Sequence, residues 1–267
     1  MFPSVSRGCA VVVLVALGSA VGAQTPAGQA AAMAELIAQR SRVSSGDTRT
    51  RVDATHRVWS IALVSPDSQI KLEALGLLLE PVGSSSDHIR MPAVYAIAEI
   101  AASSADPQVK IRALSALAEP LKSGQVPIRD VAIDAVNHIT RSGKSGGVAA
   151  AAVRMLAEPL DSGNNGVRIP AINALVRAVE GSQDAAAYQA ALDSLTEVLN
   201  SNATIGGLEV RMMGIAAMEK IGLDAPDVAG KAKAMGLLQA YASRNGWENE
   251  AKTRAQNAAA RIQSSVR

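Results

Sequence analysis

Leu117-Ala118-Glu119-Pro120-Leu121 and Leu156-Ala157-Glu158-Pro159-Leu160 are the same five residues, LAEPL, 39 positions apart. A close variant, LLEPV, stands the same distance upstream at Leu78–Val82. One glutamate beside one proline would raise the question of a catalytic carboxylate. Three at one interval are a period, and self-similarity every 20–50 residues or so marks a stacked-repeat architecture.

Aligning the chain on this pentapeptide gives units 71–109, 110–148 and 149–188. Each reads as two amphipathic segments around a Gly/Ser/Asn turn. The first segments are KLEALGLLLEPV, KIRALSALAEPL and AAAVRMLAEPL; the second are HIRMPAVYAIAEIA, PIRDVAIDAVNHIT and GVRIPAINALVRAV. The second segments align without gaps on Arg51, Arg90, Arg129 and Arg168, each 39 residues from the last. Arg211 and Arg254 continue the series at intervals of 43, with Gly206-Gly207 and Asn245-Gly246-Trp247 in the lengthened turns. Six helix pairs are therefore expected: 29–70, 71–109, 110–148, 149–188, 189–229 and 230–267.

Positions counted from the arginine divide the second helix by role. Three residues on come Ala54, Ala93, Ala132, Ala171 and Gly214, small enough for neighbouring helices to approach. Four and seven residues on come Val94 and Ile97, Ile133 and Val136, Ile172 and Leu175, Ile215 and Met218, an apolar stripe at helical spacing. A single pair cannot bury that stripe, whereas stacked pairs bury it against one another. The expected fold is all-α, an α-solenoid. In the last unit Arg261 stands where the others have an apolar residue, which reads as a polar C-terminal cap.

The helix-pair period, the proline of the first helix and the V/I-R-x-x-A-x-x-A-apolar opening of the second resemble HEAT repeats over nearly the whole chain, as in exported bacterial HEAT-repeat proteins. The resemblance implies a right-handed superhelix whose second helices line the concave side and serve as a scaffold or binding surface. It also implies a polar ladder between units, with an acidic residue near the turn. Asp87 and Asn165 stand three residues before their arginines, while Val126 departs from the pattern before Arg129. A bacterial variant linked to phycobilisome lyases shares this repeat, so an enzyme or enzyme-accessory role is the alternative reading, beside a purely structural envelope spacer.

A general acid or base is needed once, with a tuned pKa. Glu80, Glu119, Glu158 and Glu197 recur every 39 residues, the first three followed ten residues later by Arg90, Arg129 and Arg168. They are expected to pair with the arginines, Arg51 and Arg211 included, within or between units. Prolines 81, 120 and 159 should bend or end the first helix, and Pro92 and Pro170 should occupy the first turn of the second. His56, His88 and His138 fall in three different units, and Asp134 with His138 gives only two aligned ligands, so no metal or other cofactor is expected. The stretch SGKSGG at Ser142–Gly147 lacks the spacing of a phosphate-binding loop and reads as an inter-unit turn.

Constant positions build a repeat fold, so specificity is sought where units differ. Five residues after the arginine stand His56, Tyr95, Asp134, Asn173 and Ala216; nine after it, Ser60, Glu99, His138, Arg177 and Lys220. Residues four apart share a helical face. Stacking should join these into a ribbon, the expected surface for a protein or peptide partner, with no catalytic role.

Composition narrows the partners. The chain carries 26 basic and 24 acidic residues, with aromatics at 2%. No basic block is present, so the footprint of a nucleic-acid binder is missing. The opening MFPSVSRGCAVVVLVALGSAVGAQ has a positive Arg7, an apolar run from Ala10 to Leu17 and small residues ending at Ala23. It reads as a secretory signal cut after Ala23, which directs residues 24–267 to the periplasm or beyond. The single cysteine, Cys9, falls inside that segment, leaving the remainder without disulfides.

Overall fold

In the computed structural model, residues 25–145, 147–200, 207–244 and 248–266 are described. Residues 1–24, which hold the expected secretory signal, and residues 146, 201–206, 245–247 and 267 lie outside them. The described residues contain only helices and their connections.

The helices form six consecutive pairs. They are α1 (Pro26–Val43) with α2 (Thr48–Val64) and α3 (Ser68–Val82) with α4 (Asp87–Ala102); then α5 (Pro107–Ala116) and the short α6 (Ala118–Lys122) with α7 (Val126–Arg141). There follow α8 (Val148–Leu160) with α9 (Asn165–Val179), α10 (Ala185–Asn200) with α11 (Gly207–Asp224), and α12 (Val228–Ala242) with α13 (Asn249–Ser265). First helices pack on first helices and second on second, giving two layers around one continuous apolar core. This is an α-solenoid.

The spacer residues behave as their size dictates. Ala54, Ala93, Ala132 and Ala171 are fully buried. A Cβ at Gly214 would come within 3.0 Å of Leu199 Cδ2, so the approach of α10 to α11 leaves little room there.

A serine device recurs at the turns. In Ser45-Gly46-Asp47, Ser65-Pro66-Asp67, Ser104-Ala105-Asp106 and Ser162-Gly163-Asn164, the serine Oγ accepts the backbone N–H two residues later at 3.2 Å. The acidic or amide residue then caps the next helix: Asp47 accepts from Thr50 N, Asp67 from Gln69 N, Asp106 from Gln108 N and Asn164 from Gly166 N, at 2.7–2.8 Å. Two short side chains thus hold the turn and satisfy donors that a helix start leaves unpaired.

Proline placement agrees with expectation in the first helices and differs in the second. Pro81 and Pro159 are each the penultimate residue of their helix, and the LAEPL of the third unit is set off from α5 by a break at Leu117. The second helices, however, begin three residues before the arginine, at Asp87 and Asn165. Pro92 and Pro170 therefore sit inside α4 and α9, beyond the first turn, and remove interior backbone hydrogen bonds.

Candidate functional site

The second-helix layer presents the ribbon on its outer side. His56, Tyr95, Glu99, Asp134, His138 and Lys220 are exposed, Asn173 and Arg177 half-buried, and the residues between them are largely buried. Tyr95 keeps 54% of its surface in solvent. Neighbouring rungs meet: His138 Nε2 lies 3.4 Å from Glu99 Oε1, so equivalent positions on α4 and α7 face each other. His56 stands edge-on to Trp59 with ring centroids 6.2 Å apart. Lys220 Nζ pairs with Glu180 Oε1 at 2.8 Å. Toward the C-terminus, Met212, Asn249, Glu250, Thr253, Arg254 and Arg261 line an open recess of about 400 Å³. Among the described residues no group of three or more His, Cys, Asp or Glu is placed to hold a metal ion.

The arginine row lies at the edge where each pair turns, and its partners differ from unit to unit. Arg51 Nη2 pairs with Glu80 Oε1 of the next unit at 2.9 Å, while its Nε donates to the carbonyl of Val43 at 3.0 Å. Arg168, 2% exposed, donates to the carbonyls of Leu160 at 3.1 Å and Val198 at 3.4 Å. Arg90 reaches Ser123 Oγ at 3.2 Å, and Arg211 pairs with Glu248 at 2.7 Å. Arg129 has a buried Nε that meets no acceptor. Among the described residues, the four recurring glutamates meet the arginine row at one ion pair, Arg51–Glu80. Glu158 turns instead to Lys122 at 3.4 Å, and exposed Glu119 and Glu197 have no ion-pair partner among the described residues. A carboxylate at the exposed end of a first helix is satisfied by water. The last carbonyls of a helix have no intrahelical donor, and a cation beside them also meets the negative end of the helix dipole.

A second row of cations occupies the opposite edge, and sequence reasoning missed it. Lys71 and Lys110 are each 3% exposed. Lys71 Nζ donates to the carbonyl and Oγ of Ser103, the C-cap of α4, at 3.0 and 2.8 Å. Lys110 Nζ donates to the carbonyl of Ala101 at 3.2 Å and to Ser142 Oγ, at the C-cap of α7. In the next unit the equivalent residue is Ala149, with no charge to offer. Lys144, from the SGKSGG turn, reaches across to the carbonyl of Glu180, the C-cap of α9. One unit further, Tyr188 takes the position; its hydroxyl donates to Asp224 Oδ2 at 2.6 Å, which also accepts from Gly181 N at 2.7 Å. Burial pushes the ammonium pKa of Lys71, Lys110 and Lys144 below the ordinary lysine value, with Lys110 adding to the effect on Lys71. Burial, then the bond to Asp224, pushes the Tyr188 hydroxyl up. The 39-residue interval between Lys71 and Lys110 was the available signal. The motif resembling a phosphate loop is a helix cap supplied from a turn.

No protein-family model matches the sequence, and no curated protein matches it. Among solved structures, an archaeal HEAT-like repeats protein from Thermococcus onnurineus NA1 is similar at 14% identity and a TM-score of 0.50, covering 96% of this chain and 95% of that one. A designed armadillo repeat protein in complex with the peptide (KR)4 is similar at 21% identity and a TM-score of 0.50, covering 85% of this chain and 99% of that one. An engineered protein gives 20% identity and the same score over 86% of this chain and 97% of its own. The chain has the fold of HEAT and armadillo solenoids.

Proposed function

We propose that this HEAT-type solenoid is an exported, non-catalytic scaffold that binds an extended protein or peptide segment along its second-helix face. One observation carries the reading. On successive second helices the positions five and nine after the arginine are solvent-accessible and differ in chemistry from unit to unit, while the residues between them are committed to the core. A face maintained only for solubility has no need of an exposed tyrosine among histidine, aspartate, asparagine and arginine. The designed armadillo protein of similar fold carries a bound peptide, which supports the same use of a stacked-helix surface.

Export rests on the opening segment, which lies outside the described residues. None of the described helices is long and apolar enough to cross a membrane. The N-terminal residue of the protein recovered from its host is expected to be Gln24.

The test is cross-linking in the native envelope, comparing the wild-type chain with Tyr95→Ala/His138→Ala/Arg177→Ala. Partners captured by the wild type should be absent with the triple variant. Undiminished capture of the same partners would overturn the reading.

A further inference from the structure

The exposed positions of the second-helix face are not evenly charged, and the imbalance describes what fits there. Asp130 and Asp134 stand four residues apart on α7, both exposed, one and five positions after Arg129. Neither has an ion-pair partner or a side-chain hydrogen bond among the described residues. The nearby acid of α4 is Glu99, already engaged by His138 at 3.4 Å. That contact also sets the register: equal positions on α4 and α7 face one another. Tyr95 of α4 is therefore level with Asp134, and Met91 with Asp130. On the other side, by the same 39-residue equivalence, α9 presents Ile169 level with Asp130, Asn173 level with Asp134 and Arg177 level with His138. Met91, Ile169 and Asn173 are half-buried, and Tyr95 is 54% exposed. Arg177, half-buried, has no ion-pair partner among the described residues. Arg129 lies at the turn edge and makes no ion pair with either carboxylate among the described residues.

Two uncompensated carboxylates, an aromatic ring beside them and apolar side chains at their flanks suit one kind of group. It is a long cationic side chain, whose methylenes cover Met91 and Ile169 while its head meets the carboxylates and the ring. One helix further on, the unpaired guanidinium of Arg177 calls for the opposite charge.

We infer that the segment bound on this face carries a lysine or arginine seated at Asp130, Asp134 and Tyr95, and an aspartate or glutamate three residues away that meets Arg177. The spacing follows from dimensions. Neighbouring helices are about 8–10 Å apart, one turn adds about 5.4 Å along the axis, and an extended chain rises about 3.3 Å per residue, so about three residues span the gap. The inference rests on the proposed use of the second-helix face and adds the chemistry of its occupant.

A random-peptide display selection on the full chain tests both separately. Enriched peptides should carry a basic and an acidic residue three apart. Their binding should weaken roughly tenfold or more on Asp130→Asn/Asp134→Asn and on Tyr95→Ala, and should fall with added salt. Selection on Asp134→Lys should yield peptides with an acid at the formerly basic position. Peptides that lack a basic residue, yet lose binding on Tyr95→Ala, would overturn the charge assignment and leave the face as the binding surface. Peptides that bind all variants equally, or no enrichment at all, would overturn both. These side chains are solvent-exposed, and unchanged circular dichroism and melting confirm that each variant is folded.

Discussion

The guanidinium of Arg168 donates through Nε to the carbonyl of Leu160, eight residues back along the chain, at 3.1 Å. Arg51 reaches Val43 in the same way at 3.0 Å. The row of arginines that reveals the repeat is therefore, at both positions, a row of caps on the preceding helix.

Arg168→Ala is expected to lower stability by about 2–4 kcal/mol, because it takes a buried donor from the Leu160 carbonyl and leaves a space. Glu80→Ala, which removes an exposed partner of Arg51, should cost no more than about 1 kcal/mol. Urea denaturation of the two variants separates them; equal losses would place the value of the row in its ion pairs.

The buried lysines make stability depend on pH. A lysine whose charged form is disfavoured by folding gives up its proton sooner in the native state. Between its lowered native value and the ordinary 10.5, the unfolded chain holds more protons, and stability rises with pH. The denaturation midpoint should climb as pH approaches 10 from below, and the climb should flatten in Lys71→Met/Lys110→Met. Tyr188 acts in the opposite sense: with a native value above its ordinary 10.0, it makes stability fall as pH rises past that point. Measurements below pH 10 isolate the lysines.

Glycines in the helices divide into useful and dispensable. A Cβ on Gly222 would lie 2.7 Å from both Ala234 Cβ and Ile262 Cδ1, so Gly222→Ala should destabilise by roughly 1–3 kcal/mol. Gly76 and Gly236 have open space at that position, and alanine there should stabilise by about 0.5–1 kcal/mol. Thermal melts of the three variants give the comparison.

Residues of the second-helix face should be thermodynamically silent. Tyr95→Ala and Asp134→Ala are expected to change the unfolding free energy by less than about 0.5 kcal/mol, as surface substitutions do. Larger losses in equilibrium denaturation would identify them as parts of the frame.

Periodicity made the frame legible. Ala93 and Ala132 are spaced as stacking requires, and Ile97 and Val136 are buried where the stripe placed them, because packing must repeat when units repeat. The ladder was legible in its arginines and misleading in its glutamates. Spacing reports which residues recur, while a partner is chosen by which acceptor most needs a donor, and a terminal carbonyl outranks a hydrated carboxylate. Lys71 and Lys110 escaped notice because a lysine in an apolar stretch reads as solvent-facing, although each ammonium is turned inward onto a helix end. Pro92 and Pro170 were misplaced because turns closed by Ser84 Oγ on Ser86 N and by Ser162 Oγ on Asn164 N start α4 and α9 three residues before the arginine. The ribbon was legible as a surface, since exposure follows from helical phase. Its charge asymmetry becomes visible only once Glu99 is seen to be occupied by His138, leaving Asp130 and Asp134 without ion-pair partners among the described residues.

The change of capping group along the far edge, from Lys71 and Lys110 through Lys144 to the Tyr188–Asp224 pair, bears on which units could replace one another. A copy of the stretch containing Lys110 and Ser142, inserted next to the original, would find every donor and acceptor it needs already in register. A copy of the stretch around Tyr188 set beside Lys110 would not, since its hydroxyl answers the carboxylate of Asp224 where Lys110 answers the hydroxyl of Ser142. Units are therefore interchangeable where Lys71 and Lys110 do the capping, and exchangeable only together with the acceptor where Tyr188 meets Asp224.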